Sequence, residues 1–259
     1  MKRFLQIIGP VAVAIGLLVP FGAAHAATTS YVALGDSYSS GVGTNHYDLS
    51  SSCSRSSLAY PALVAAAKGY SLNFQACSGA TTTDVINNQV AALGAGTNLV
   101  TVTAGGNDAG FVPLLENCTF TNCVSAINGT IASVNATLAA KLDAMDTAIK
   151  AHAPNATVIV LGYPHLFSGT CFGALGISSA EVSAANNLAD ALDTVTKTET
   201  AKYPGFQYKS AIAQFTNHGV CAGSAWLHGL TLSPITDSYH PTATGYSSGY
   251  APLVRSITG

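Results

Sequence analysis

Four short polar blocks in this chain hold side chains able to work on a carbonyl group: Gly35 to Gly41 (GDSYSSG), Cys77 to Gly79 (CSG), Gly105 to Asp108 (GGND) and Asp237 to Pro241 (DSYHP). A serine hydroxyl is a weak nucleophile until a base takes its proton, and neutral imidazole suits that task near pH 7. Ser37 and His240 are the candidate pair. The tetrahedral intermediate of acyl transfer needs donors for its oxyanion, and the backbone N–H groups of Ser37 and Gly79 with the carboxamide of Asn107 can supply them. Asp237, three residues before His240, is expected to hold one ring nitrogen so that the other faces the serine.

The elements around these blocks must bring them to one place. Tyr31 to Leu34 reads as a buried strand, and Gly35 permits the sharp exit that carries Ser37. Further strands are expected at Ser71 to Ala76, Asn98 to Thr103, Ala156 to Leu161 and Phe206 to Ile212. Between them fall helices at about 58–68 and 83–93, a long helix to about Ala151, and one opened by the Ser178 and Glu181 capping box that runs to about Ala201. In the long helix Ile127, Ile131, Val134, Leu138, Leu142, Met145 and Ile149 recur every three or four residues. Pro241 opens a last helix over 242–257. Alternation of strand and helix along the chain argues for a doubly wound parallel sheet in one domain. Three of the polar blocks follow strands, so a parallel sheet puts them on one edge, where open α/β sheets bind ligands. The aperiodic stretch 214–239 is read as a long loop lining that edge, free to deliver His240.

Composition narrows the setting. Lys2 and Arg3, an apolar run from Phe4 to Phe21 and the small-x-small sequence Ala24-His25-Ala26 read as an export signal over residues 1–26, followed by a single domain at 27–259. The chain is expected outside the cell. Charged residues make up only 8% of it and acidic residues outnumber basic ones, twelve to ten, so nothing points to nucleic acid. Six cysteines in an exported chain, Cys53, Cys77, Cys118, Cys123, Cys171 and Cys221, read as three disulfides. Spacing favours Cys118 with Cys123 and leaves the other pairings open. No CxxC or HExxH occurs, which argues against a metal site.

The four blocks, in this order and at this spacing, resemble those of the SGNH or GDSL-type hydrolases, and the match runs from Ser30 to about Tyr246. With its signal, length and cysteines, the chain is similar to the secreted bacterial lipases, esterases and phospholipases of that superfamily. The resemblance implies a three-layer α/β/α, flavodoxin-like fold with a parallel five-stranded sheet in the order 2-1-3-4-5. It also implies ester hydrolysis through an acyl-enzyme on Ser37, with His240 as base and Ser37, Gly79 and Asn107 as oxyanion hole. No cofactor and no metal are implied. Sequential disulfides are, Cys53 to Cys77, Cys118 to Cys123 and Cys171 to Cys221. The expected partner is a small-molecule or lipid ester, with at most transient contact with a lipid surface, and the chain is expected to be a monomer. Tyr38 stands where leucine gives the GDSL name, a change expected in packing or the pocket wall. Some members orient the histidine with a main-chain carbonyl, here that of Ser238, but Asp237 is the expected partner.

Rival readings are weaker. Gly245-Tyr246-Ser247-Ser248-Gly249 matches the GxSxG nucleophile elbow, yet it lies in the expected last helix with no histidine after it. Asp36 and Asp108 are read as loop-fixing residues, and Trp226 as a loop anchor or a wall of an acyl pocket. A carbohydrate acetylesterase on the same site is the alternative chemistry. A non-catalytic binding protein on the same fold is the alternative class, but it has no reason to assemble Ser37, His240 and Asn107.

Overall fold

The computed structural model describes residues 1, 28–118, 121–169, 171 and 177–259. The expected export signal, apart from Met1, lies outside the described residues. Five strands form one parallel sheet: β1 (Ser30–Gly35), β2 (Ser71–Phe74), β3 (Leu99–Thr103), β4 (Thr157–Leu161) and β5 (Phe206–Lys209), in the order β2-β1-β3-β4-β5. Burial follows from that order. The central strands β3 and β4 read as near-continuous apolar runs with hardly a residue exposed, as a sheet covered on both faces requires, while the edge strand β2 alternates between exposed and half-buried residues.

Helices cover both faces of the sheet and complete three layers. Helix α1 (Ser37–Ser40) is a single turn after β1. Helix α2 (Tyr60–Lys68) precedes β2, and α3 (Thr82–Asp84) continues as a π turn over Val85–Gln89. Beyond β3 come α4 (Phe111–Cys118), α5 (Val124–Ser133) and α6 (Ala139–His152), the last two joined by a π turn over Val134–Leu138. Helix α7 (Ser179–Thr200) starts on the expected capping box, in which the Ser178 side chain accepts from the Glu181 N–H. Helix α8 (Ala251–Thr258) packs on α2, whereas α7 packs on α5 and α6.

Two expected strands end early, β2 at Phe74 instead of Ala76 and β5 at Lys209 instead of Ile212. Strand β5 stops at Lys209, which pairs with Leu161, the last residue of β4, and beyond it the Ser210 hydroxyl donates to the Asp193 carboxylate at 2.5 Å. The expected last helix runs without interruption over 243–258, with a π turn over Gly245–Tyr250 leading into α8. Ser247 therefore lies within a helical turn, without the strand-to-helix elbow that its GxSxG match would need.

The disulfides are Cys53–Cys77, Cys118–Cys123 and Cys171–Cys221. The first ties the 44–57 loop to the turn that carries Gly79. Its sequence separation of 24 residues corresponds to about 3 kcal/mol of lost unfolded-chain entropy.

Candidate active site

The crevice outside the strand ends lies where chain order reverses, between β1 and β3. Gly35 ends β1 with φ +119°, and a Cβ there would sit 2.3 Å from the Thr103 carbonyl oxygen, so only glycine lets β1 and β3 close at this point. Asp36 caps α1 by accepting the Tyr38 N–H at 2.9 Å. Ser37 is thereby fixed as the first helical residue. Its side chain meets His240, with Oγ 2.7 Å from Nε2 across 203 residues of sequence.

The other ring nitrogen settles the tautomer. His240 Nδ1 is 2.9 Å from the Ser238 carbonyl oxygen, which can only accept, so Nδ1 carries the proton and the Nε2 lone pair faces the serine hydroxyl. Burial holds the imidazole down at about 4, against the pull of the Ser238 carbonyl. It is neutral at pH 7.

Asp237 does not meet the ring. Its Oδ1 accepts from the Tyr47 hydroxyl at 2.8 Å and its Oδ2 is buried with no hydrogen-bond partner among the described residues, so the expected carboxylate-to-imidazole contact is replaced by the main-chain carbonyl of Ser238. The cause is the tight turn that ends the loop. Ser238 N–H donates to Ile235 O and His240 N–H to Asp237 O, which directs the Ser238 carbonyl inward and leaves the Asp237 side chain to Tyr47.

The remaining polar blocks converge on the same edge. Gly79 has φ +81°, and a Cβ would meet nothing within 4 Å, so the backbone conformation is what favours glycine at this position. The N–H groups of Ser37 and Gly79 have no acceptor among the described residues. Asn107 Nδ2 donates to Ala80 O at 2.9 Å, which uses one of its two hydrogens. The neighbouring Asp108 accepts from Thr82 N–H and Thr82 Oγ at 2.8 and 2.9 Å. Two adjacent rungs thus pin the Gly79 turn to the Asn107 turn. Arg55 braces it from the other side, donating to Ala76 O at 2.7 Å and Gln75 O at 3.0 Å. A cavity of about 360 Å³ opens behind Gly79, between Arg55, Ser78, Asn88 and the Cys53–Cys77 disulfide.

A polar underlayer holds these parts together. The Tyr163 hydroxyl donates to Asp36 Oδ2 at 2.5 Å and accepts the Gly106 N–H at 2.9 Å, joining the serine block to the asparagine block. Burial pushes the Asp36 carboxyl up to about 7, against those hydrogen bonds. The Gln89 carboxamide pairs with both backbone groups of Gly35. Tyr38 is buried, with its ring centroid 5.1 Å from that of His240, and its hydroxyl donates to the Tyr239 carbonyl. It tethers the histidine loop. Trp226 stacks on His218 at 3.5 Å between centroids and anchors its loop. No local signal marked Tyr47, Gln89 or Tyr163, because the partners that tie them to the site, Asp237, Gly35 and Asp36, are 54 or more residues away.

A parallel five-stranded sheet in this order thus holds at its switch point a serine in contact with a histidine and, beside them, N–H groups with no acceptor among the described residues. The profile of the GDSL-like lipase and acylhydrolase family matches residues 33–247, and the chain belongs to that family. It is a carboxylic ester hydrolase. It is 45% identical over 254 residues to a lipase of Streptomyces rimosus, covering 93% of each chain. Among solved structures it is similar to phospholipase A1 from Streptomyces albidoflavus NA297, with 45% identity, TM-score 0.85 and coverage of 89% of this chain and 99% of that one. It is also similar to an extracellular lipase from Streptomyces rimosus, with 44% identity, TM-score 0.83 and coverage of 88% and 99%.

Proposed function

We propose that the chain is an exported serine esterase of the lipase or phospholipase type, acting through an acyl-enzyme on Ser37. The observation that carries this is the 2.7 Å contact between Ser37 Oγ and a histidine whose other nitrogen is already committed. His240 Nε2 takes the hydroxyl proton as Oγ attacks the ester carbon. The oxyanion is received by the N–H groups of Ser37 and Gly79 and the spare hydrogen of Asn107 Nδ2. Collapse expels the alcohol, which takes the proton from His240, and water then repeats the cycle on the acyl-enzyme. The named activities of the similar Streptomyces proteins support a glycerolipid ester as substrate. Residues 1–26 act as an export signal, which the three disulfides support. A fluorophosphonate should modify Ser37 and no other residue, read by peptide mapping. A label elsewhere, or none, rejects the reading.

The pH profile separates the two candidate orienters of His240. Acid protonates Nε2 and removes the lone pair, so kcat/KM should be full at neutral pH and half lost near pH 4, well below an ordinary histidine. Asp237→Asn should leave that midpoint in place and change kcat by less than about tenfold, since the carboxylate does not touch the ring. A hundredfold loss with a displaced midpoint would return Asp237 to the role of orienter.

A further inference from the structure

Among the described residues large apolar side chains are almost all covered, and the exceptions lie on two joined loops. Apart from Met1, the exposed large hydrophobic residues among the described ones are Leu49 at 51%, Leu232 at 82% and Ile235 at 48%. Scattered singly, such residues would need no explanation. These three sit on two loops that the Tyr47 to Asp237 hydrogen bond joins, Leu49 two residues from Tyr47 and Ile235 two residues from Asp237. Both loops flank the catalytic pair, since His240 follows three residues after Asp237.

The loop that carries Leu232 and Ile235 is built, not loose. Thr231 N–H donates to Ser238 Oγ at 3.0 Å and Thr231 Oγ to Pro234 O at 2.7 Å, while the N–H groups of Asp237 and Ser238 close back on Pro234 O and Ile235 O. Its polar groups are satisfied inward and its leucine and isoleucine face out. A loop fixed in this way loses little conformational freedom when it docks. Charge narrows the partner. On the 44–57 and 226–239 stretches the one lysine or arginine is Arg55, whose guanidinium is committed to Ala76 O and Gln75 O, and Asp48 is exposed. Neither stretch offers a free lysine or arginine to an anionic surface, and exposed His46 lies 3.5 Å from the Asp48 carboxylate.

We propose that Leu49, Leu232 and Ile235 form a docking patch for a neutral or zwitterionic lipid surface, which holds the mouth of the Ser37 site against the layer containing its ester. This rests on the ester hydrolase reading and adds to it the physical state of the substrate. Docking places the apolar side chains in the acyl boundary, and substrate then reaches Ser37 without crossing water.

The test uses vesicles of diether phosphatidylcholine, which the enzyme cannot hydrolyse, together with a water-soluble short-chain nitrophenyl ester. Wild-type protein should sediment with the vesicles, insensitively to salt. The Leu232→Ser and Ile235→Ser double variant should bind them at least tenfold more weakly, at about tenfold per fully buried side chain. Its turnover of diester phosphatidylcholine vesicles should fall in proportion, while kcat/KM on the soluble ester stays within twofold of wild type. Undiminished vesicle binding by the variant overturns the patch. So does failure of wild type to bind, or binding confined to anionic vesicles and abolished by salt. Equal loss on the soluble ester would show damage to the site and also overturn it, with Leu49→Ser as an independent single change. Wild-type protein inert on the soluble ester would instead refute the hydrolase reading.

Discussion

Ser37→Ala removes ester hydrolysis while leaving the chain folded, with kcat lower by about 10⁴ to 10⁶. The substitution takes away one oxygen whose contact is His240 Nε2, and the elements of α1 do not depend on it, since Asp36 caps the turn through Tyr38 and Gly41 closes it on the Ser37 carbonyl. The lost hydrogen bond costs about 1 kcal/mol, set against three intact disulfides. The melting temperature should therefore move by only a few degrees. The small residual rate would come from the oxyanion donors acting on a bound ester attacked by water. Activity on a soluble ester and thermal unfolding of the same preparation decide the matter. A variant that keeps a tenth of wild-type kcat shows that another group performs the attack.

What could be read from the chain divides along a physical line. Strands β3 and β4 were visible because a strand covered on both faces must be apolar throughout, and Val100, Val102, Val158, Ile159 and Val160 leave no choice of period. The helix from α5 to α6 was visible for the same reason, through buried Ile127, Val134, Leu138, Leu142, Met145 and Ile149. Its π turn was not, because one extra residue in a turn hardly disturbs a spacing that already alternates between three and four. Ser37, Gly79, Asn107 and His240 were legible as blocks. Their underlayer was not, since Tyr163, Gln89 and Tyr47 act through partners far along the chain. Asp237 shows the limit most clearly. A carboxylate three residues before a histidine has the right chemistry, but whether it or a carbonyl faces the ring depends on the turn from Ile235 to His240 and on a tyrosine 190 residues away.

The asparagine should matter more than its single visible hydrogen bond implies. Asn107→Ala is expected to lower kcat by about 10² to 10³ with KM nearly unchanged, because a donor to the oxyanion is worth most where negative charge develops. The same change also frees the Ala80 carbonyl, so a loss of activity could come from a slack Gly79 turn instead. Asp108→Asn separates the two causes. It weakens the adjacent rung to Thr82 and the 3.4 Å contact with Lys141 without removing any oxyanion donor. If donation is the function of Asn107, the Asp108 variant should lose less than about tenfold in kcat while Asn107→Ala loses the full amount. Equal losses in the two variants would mean that Asn107 serves to hold the turn, leaving the N–H groups of Ser37 and Gly79 to stabilise the oxyanion alone.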